Sequence, residues 1–199
     1  MHHTPSSHTI KRLLNVIECD ILPLTAKGVA KGNKIFGGAI LHKKDLSLII
    51  AQTNNEIENP LWHGEIHTLK HFYEQPNCPP TSELIFLSTH EPCSMCLSAI
   101  TWAGFDNFYY YFSYQDSRDL FEIPHDIKIM EDVFDCQKGE YHRQNSFWNS
   151  YDLREMAFKL DEGKDRDAFK AQMQHIDDVY DRLSHHYQAT KQDNNIPLG

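Results

Sequence analysis

Cysteine is scarce in this 199-residue chain. Its five cysteines are too few and too unevenly spaced for a disulfide framework, and the number is odd. Long apolar runs are missing as well; none approaches the roughly 20 residues that cross a bilayer. Positive charge is in the minority, with 19 Lys and Arg against 28 Asp and Glu. The net charge of −9 argues against a protein built chiefly to grip nucleic acid. One local exception stands out: residues 1–44 hold Lys11, Arg12, Lys27, Lys31, Lys34, Lys43 and Lys44 against only Glu18 and Asp20. The opening Met-His-His-Thr-Pro-Ser-Ser-His carries neither the charged nor the apolar block of a secretory signal. With Cys19, Cys78 and Cys136 read as free thiols, the expectation is a cytoplasmic protein with no membrane partner. Neither an internal repeat nor a low-complexity tract is found.

What is there is an ordinary globular composition, 40% hydrophobic and 24% charged, in a chain long enough to bury a real core. Ile10, Leu13, Leu14 and Ile17 fall at helical spacing and predict a helix over 9–19, with Thr9 as cap. Two apolar runs, 35–41 and 45–53, flank His42-Lys43-Lys44 and predict a β-hairpin. The Gly37-Gly38 pair within it predicts a bulge or a close approach by another backbone. A helix over 63–73, a strand over 84–89, a helix over 93–103 and a strand over 105–112 complete an α/β layer order. Beyond Ile123 the pattern predicts helices over 147–160 and 165–188. In the second of these, Phe169, Met173, Ile176, Val179, Leu183 and Tyr187 form one apolar stripe. Trp62 and Trp102 read as core residues.

The chemistry is concentrated in two segments. His63-Gly64-Glu65 is followed, after twenty-six intervening residues, by Pro92-Cys93-Ser94-Met95-Cys96. One imidazole and two thiolates suit zinc and leave its fourth tetrahedral position open, which marks a catalytic metal. Both segments open helices, where the positive dipole end favours thiolate over thiol. The Cys-x-x-Cys spacing places both sulfurs within one turn, and Pro92 suits a helix start because its missing N–H would have no intrahelical partner. Glu65 lies near the metal without ligating it, as a proton carrier must. Taken alone, Cys-x-x-Cys also describes a redox pair or half of a zinc knuckle. His63, His67 and His71 form a ladder at i, i+4 and i+8. Without the His-Glu-x-x-His order of zinc proteases, His67 and His71 are read as packed or partly exposed.

The segments together resemble the cytidine and deoxycytidylate deaminase superfamily. Glu91-Pro92-Cys93-Ser94-Met95-Cys96-Leu97-Ser98-Ala99-Ile100-Thr101-Trp102-Ala103 is most similar to its guanine deaminase and tRNA adenosine deaminase branch, and the Ala-Ile-x-Trp-Ala ending leans toward the former. The resemblance implies a three-layer α/β/α fold with a five-stranded mixed sheet, one Zn2+ per chain and a homodimer. It assigns His63, Cys93 and Cys96 to the metal, Glu65 to catalysis, and Asn33 and Asp116 to the substrate. A turn role for Asn33 and a helix-cap role for Asp116 remain open beside these. Gly64, where the family usually has alanine, is expected to loosen the helix start without touching chemistry. A deaminase domain over 1–135 with a C-terminal helical extension over 136–199 packed on it is expected. The implied activity is hydrolytic deamination of a nucleobase or nucleoside, guanine-like purine ahead of cytosine-type. The alternatives are adenosine deamination in tRNA and a non-catalytic zinc scaffold of the same fold.

Overall fold

The computed structural model describes residues 6–160 and 164–198. Ser6 caps the first helix, α1 (Ser7–Val16), accepting the Thr9 N–H on its Oγ, so the cap lies three residues before the expected Thr9. The helix widens into a π-turn over Ile17–Ile21 and continues as α2 (Leu22–Val29), with a proline in its first turn. The hairpin follows as β1 (Gly37–His42) and β2 (Leu48–Thr53), antiparallel with Ala39 opposite Ala51. Next come α3 (Gly64–Tyr73), β3 (Leu84–His90), α4 (Ser94–Trp102) and β4 (Asn107–Phe112). The chain then forms α5 (Tyr114–Asp119), α6 (His125–Phe134), β5 (Asn149–Asp152), α7 (Leu153–Phe158) and the long α8 (Lys164–Thr190).

The five strands run β2-β1-β3-β4-β5, with β1 antiparallel to β2 and β3 and the last three strands parallel. Helices cover both faces. Leu84 and Phe86 of β3 meet Leu69 and Phe72 of α3 and Leu97 and Ile100 of α4, while Ile85 and Leu87 face the side of α1, α2 and α8. A strand buried on both faces has no polar side to alternate with, which is why β3 reads as an unbroken apolar run.

Three expectations are corrected here. The region 147–160 is not one helix, because Asn149–Asp152 pairs beside β4 before α7 begins; the sheet thus takes its fifth strand from beyond residue 135. On α8 the buried face runs Phe169, Met173, Ile176, Tyr180, Ser184 and Tyr187, so Tyr180 takes the place of Val179, while Leu183 packs half-buried against the core beside Ser184. Trp102 is not core; it stands 90% exposed at the end of α4. Among the described residues no helix is long and apolar enough to cross a membrane.

Candidate metal centre

Two helix starts face each other at the C-terminal end of β3. His63 is the N-cap of α3 and Cys93 the N-cap of α4; both are extended, and neither makes a side-chain capping bond. That leaves imidazole and thiol free to point at one another. His63 Nδ1 lies 3.5 Å from Cys93 Sγ and 3.8 Å from Cys96 Sγ, and the three donor atoms sit within 4.8 Å of one another. Zinc bonds of about 2.3 Å to sulfur and 2.05 Å to nitrogen place tetrahedral donors roughly 3.6–3.8 Å apart. The donor set fits one Zn2+.

Of the three donors Cys93 is already shifted toward its ligating thiolate form, while burial and the neighbouring Cys93 keep protons on Cys96 and His63 that a bound ion would displace. The Cys96 thiol hydrogen-bonds Cys93 and, helped by His63, holds Cys93 well below the usual thiol range. Burial alone would lower His63, but the hydrogen bond and charge of Cys93 outweigh it and lift the imidazole to about 9. Glu65 is 3% exposed, with Oε2 3.2 Å from Cys96 Sγ and Oε1 2.8 Å from Ser88 Oγ. Ser88 Oγ also lies 2.5 Å from the His90 carbonyl. One hydroxyl proton cannot serve both acceptors, so the Glu65–Ser88 bond is completed when Glu65 itself carries a proton. Burial, followed by the Cys93 charge, raises Glu65 in that direction.

The close approach foreseen at Gly37-Gly38 comes from α3. A Cβ on Gly64 would stand 2.6 Å from Gly37 Cα and 2.7 Å from Gly37 N, so Gly64 is what lets the first turn of α3 lie on β1. It fixes the height of His63 and Glu65 above the sheet, a tighter role than the loosened helix start expected of it.

The structure brings His63, Cys93, Cys96 and Glu65 together, but not Asn33 or Asp116. Asn33 accepts from the Ile57 N–H (2.9 Å) and donates to the Gly28 carbonyl (3.3 Å), which spends its amide on the turn. Asp116 forms a capping box with Ser113 at the start of α5 and pairs with Arg154 at 3.2 Å.

Other residues, unforeseen in the sequence, surround the donors. Asn54 accepts the Gly64 N–H and donates to Glu56 (2.7 Å). Glu56 forms a buried pair with Lys34 at 2.8 Å and lies 3.8 Å from His63 Nε2, behind the imidazole. Glu91, fully buried, is pinned by Arg143 (2.8 Å), by the Tyr141 hydroxyl (2.8 Å) and by the Tyr114 N–H (3.0 Å). His90 sits among Phe36, Phe112, Phe121 and Tyr180, its Nε2 without a hydrogen-bond partner. Asp126, in the first turn of α6, lines the same space with its carboxyl raised by desolvation and then by Cys93. No motif spacing links Asp126, Arg143 or Tyr141 to the zinc segments; only the fold does.

The space among Phe36, His63, Glu65, His90, Glu91, Cys93 and Asp126 amounts to about 10 Å³, room for one water. A larger cleft of 530 Å³ lies at the opposite end of the parallel strands, beside Lys43, Asp106, Tyr109 and Tyr151. It lacks a thiol and a grouped metal-donor set among the described residues, so the chemistry belongs to the smaller space.

Residues 20–112 match the model of the cytidine and deoxycytidylate deaminase zinc-binding region. No protein of curated function matches the sequence. Among solved structures, guanine deaminase from Bacillus subtilis is 20% identical, over 86% of this chain and 93% of that one, with a TM-score of 0.50. Guanine deaminase from Nitrosomonas europaea is 18% identical over 79% and 81%, with a TM-score of 0.45. The first of these shows a likeness of fold. Through residues 20–112 and the zinc donors they carry, the chain is similar to the zinc-binding region of the cytidine and deoxycytidylate deaminase superfamily.

Proposed function

We propose that the protein removes the exocyclic amine of a nucleobase by hydrolysis, releasing ammonia, with a free guanine-like purine ahead of cytosine-type substrates. The observation that carries this reading is a buried carboxyl, Glu65, hydrogen-bonded through Ser88 and 3.2 Å from a thiol of the metal donor set. Zinc bound there supplies nucleophilic water at neutral pH by lowering its pKa from 15.7 to roughly 7. Glu65 takes one proton of the attacking water on Oε2 and passes it to a ring nitrogen, then takes the second from the newly added hydroxyl and gives it to the departing amine. Water and amine become carbonyl and ammonia, with no net proton consumed. A general acid and base of this kind contributes typically about 10²–10⁴-fold. Ser88 holds the other carboxyl oxygen in place. Glu56, itself tied to Lys34, backs the imidazole of His63.

Asp126 supports the purine preference. A carboxyl oxygen there accepts from a ring N–H of a free purine, which a pyrimidine nucleoside, substituted at N1, does not offer. A base exceeds the 10 Å³ now present, so the lining of this space has to open to admit it. The tRNA reading is disfavoured because two cations of the basic N-terminal stretch are already paired, Lys34 with Glu56 and Lys43 with Asp106. The chain acts as a homodimer in this proposal, with the exposed Trp102 and Tyr73 as the surface a second copy covers.

Ammonia release across guanine, adenine, cytosine and their nucleosides, with zinc quantified in each preparation, tests the proposal. Glu65→Ala should keep one zinc and lose turnover. Undiminished turnover in that variant would remove Glu65 from the chemistry. Release from cytosine nucleosides but not from guanine would overturn the substrate assignment.

A further inference from the structure

The histidine ladder on α3 continues past the zinc donors, and its upper two members form a separate arrangement. His67 Nε2 and His71 Nε2 face each other at 3.0 Å. Each ring has already committed its other nitrogen. His67 Nδ1 is 2.8 Å from the Thr53 carbonyl, an acceptor only, so this nitrogen carries the proton. His71 Nδ1 is 3.0 Å from Glu74 Oε2, also an acceptor when ionised. With both Nδ1 atoms donating, two neutral rings turn their lone pairs on each other across 3.0 Å. That contact is attractive only if a positive charge is shared between the Nε2 atoms, carried by a proton or by a metal ion.

We infer that His67 and His71 form a second metal site, a two-imidazole clamp for a borderline divalent transition ion of the Zn2+ or Ni2+ type, with the remaining positions taken by water. The spacing is that of two histidines one turn apart on a helix face. An ion about 2.05 Å from each nitrogen subtends roughly 95° between them, within the span of tetrahedral and octahedral coordination. Both rings carry the outer hydrogen bond that metal-binding histidines make, one to a backbone carbonyl and one to a carboxylate. Stacking on Trp62, with centroids 5.6 Å apart and planes at 14°, fixes the plane of His67. Burial lowers the pKa of His67 and so keeps it in the neutral form that ligates. The His71 side chain is 34% exposed, which opens the clamp to solvent and leaves that ring free to turn toward the ion. The charge of neighbouring Lys70 is met by the other oxygen of Glu74 at 2.7 Å. Imidazole donors select against Mg2+ and Ca2+, which prefer oxygen. With two protein ligands the site holds its ion more weakly than the buried Cys-Cys-His set.

Zn2+ titration of protein already holding one zinc per chain, against a chromophoric chelator, tests this. The expected result is uptake of a second equivalent. His71→Gln, a change at a partly exposed position, should weaken that uptake at least about tenfold while the first zinc is retained. Glu74→Gln, which removes only the outer partner, should weaken it about tenfold. Co2+ added as the second ion should absorb without the sulfur-to-metal charge-transfer band of a thiolate site. Uptake that stops at one equivalent would overturn the inference, leaving a proton as the shared charge. So would an unchanged second site in His71→Gln, or a thiolate band on the second cobalt.

Discussion

The stretch 20–112 and the stretch after it build one site by different means. The first delivers the reactive groups, each at a helix start or strand end and at short sequence intervals: His63 and Glu65 on α3, Ser88 on β3, Cys93 and Cys96 at α4. The second delivers no donor to the metal set and mostly pins. Arg143 and Tyr141 hold Glu91, Trp148 donates to Thr101 of α4 at 2.7 Å, and Tyr180 of α8 packs against His90. Reactive groups therefore come from local sequence and their rigidity from distant chain, so the two halves should fail differently when mutated.

The largest effect is expected in the first half. Cys96→Ser should abolish zinc retention and ammonia release together, measured by metal content and turnover, whereas no pin should do so outright. In the second half, Arg143→Ala leaves Glu91 buried beside Tyr141 without its cation. Because the arginine side chain is 42% exposed and Glu91 can take up a proton, the loss should be about 1–3 kcal/mol in urea titration, with faster loss of zinc to a chelator. Gly64→Ala crosses the two classes, a packing change inside the reactive half. Its Cβ must push α3 off β1, for about 1–3 kcal/mol and a weaker hold on zinc. Asp116→Ala should cost about 1 kcal/mol through the lost capping box and leave ammonia release unchanged; a fall in kcat/KM would return Asp116 to the substrate.

The last test is a pH dependence. Burial holds His90 well below its ordinary value, so in mild acid the unfolded chain binds a proton that the folded chain refuses. This contribution is complete above about pH 6.5 and declines as pH falls, by at most roughly 1.4 kcal/mol per unit. His67, also lowered by burial, pulls the same way. Chemical denaturation between pH 7.5 and 5.5 measures the slope, and His90→Gln should flatten it.

The same division explains what the sequence made legible. The zinc segments, the hairpin and β3 were readable because their signals are local: ligand spacing, two apolar runs, a strand buried on both faces. β5 escaped because Asn149-Ser150-Tyr151-Asp152 is short, polar and half-buried at a sheet edge, where pairing rather than hydrophobic pattern defines the strand. Asp126 and Arg143 carry no spacing relation to the donors and reach them only through the fold. Asn33 and Asp116 were placed by family likeness, and in the folded chain their polar atoms meet a turn and a helix cap. Gly64 misled because propensity counts only what a glycine removes from a helix, not the backbone it lets in.

The pins on Glu91 also set an order of assembly. During synthesis all three zinc donors leave the ribosome before Tyr141 and Arg143 exist, so a nascent chain exposes a soft-metal trap while the turn beneath it is still unlocked. Once the C-terminal half docks, the pinned Glu91 should slow exchange of the ion. Zinc supplied during synthesis should therefore be taken up faster than zinc supplied to the finished chain.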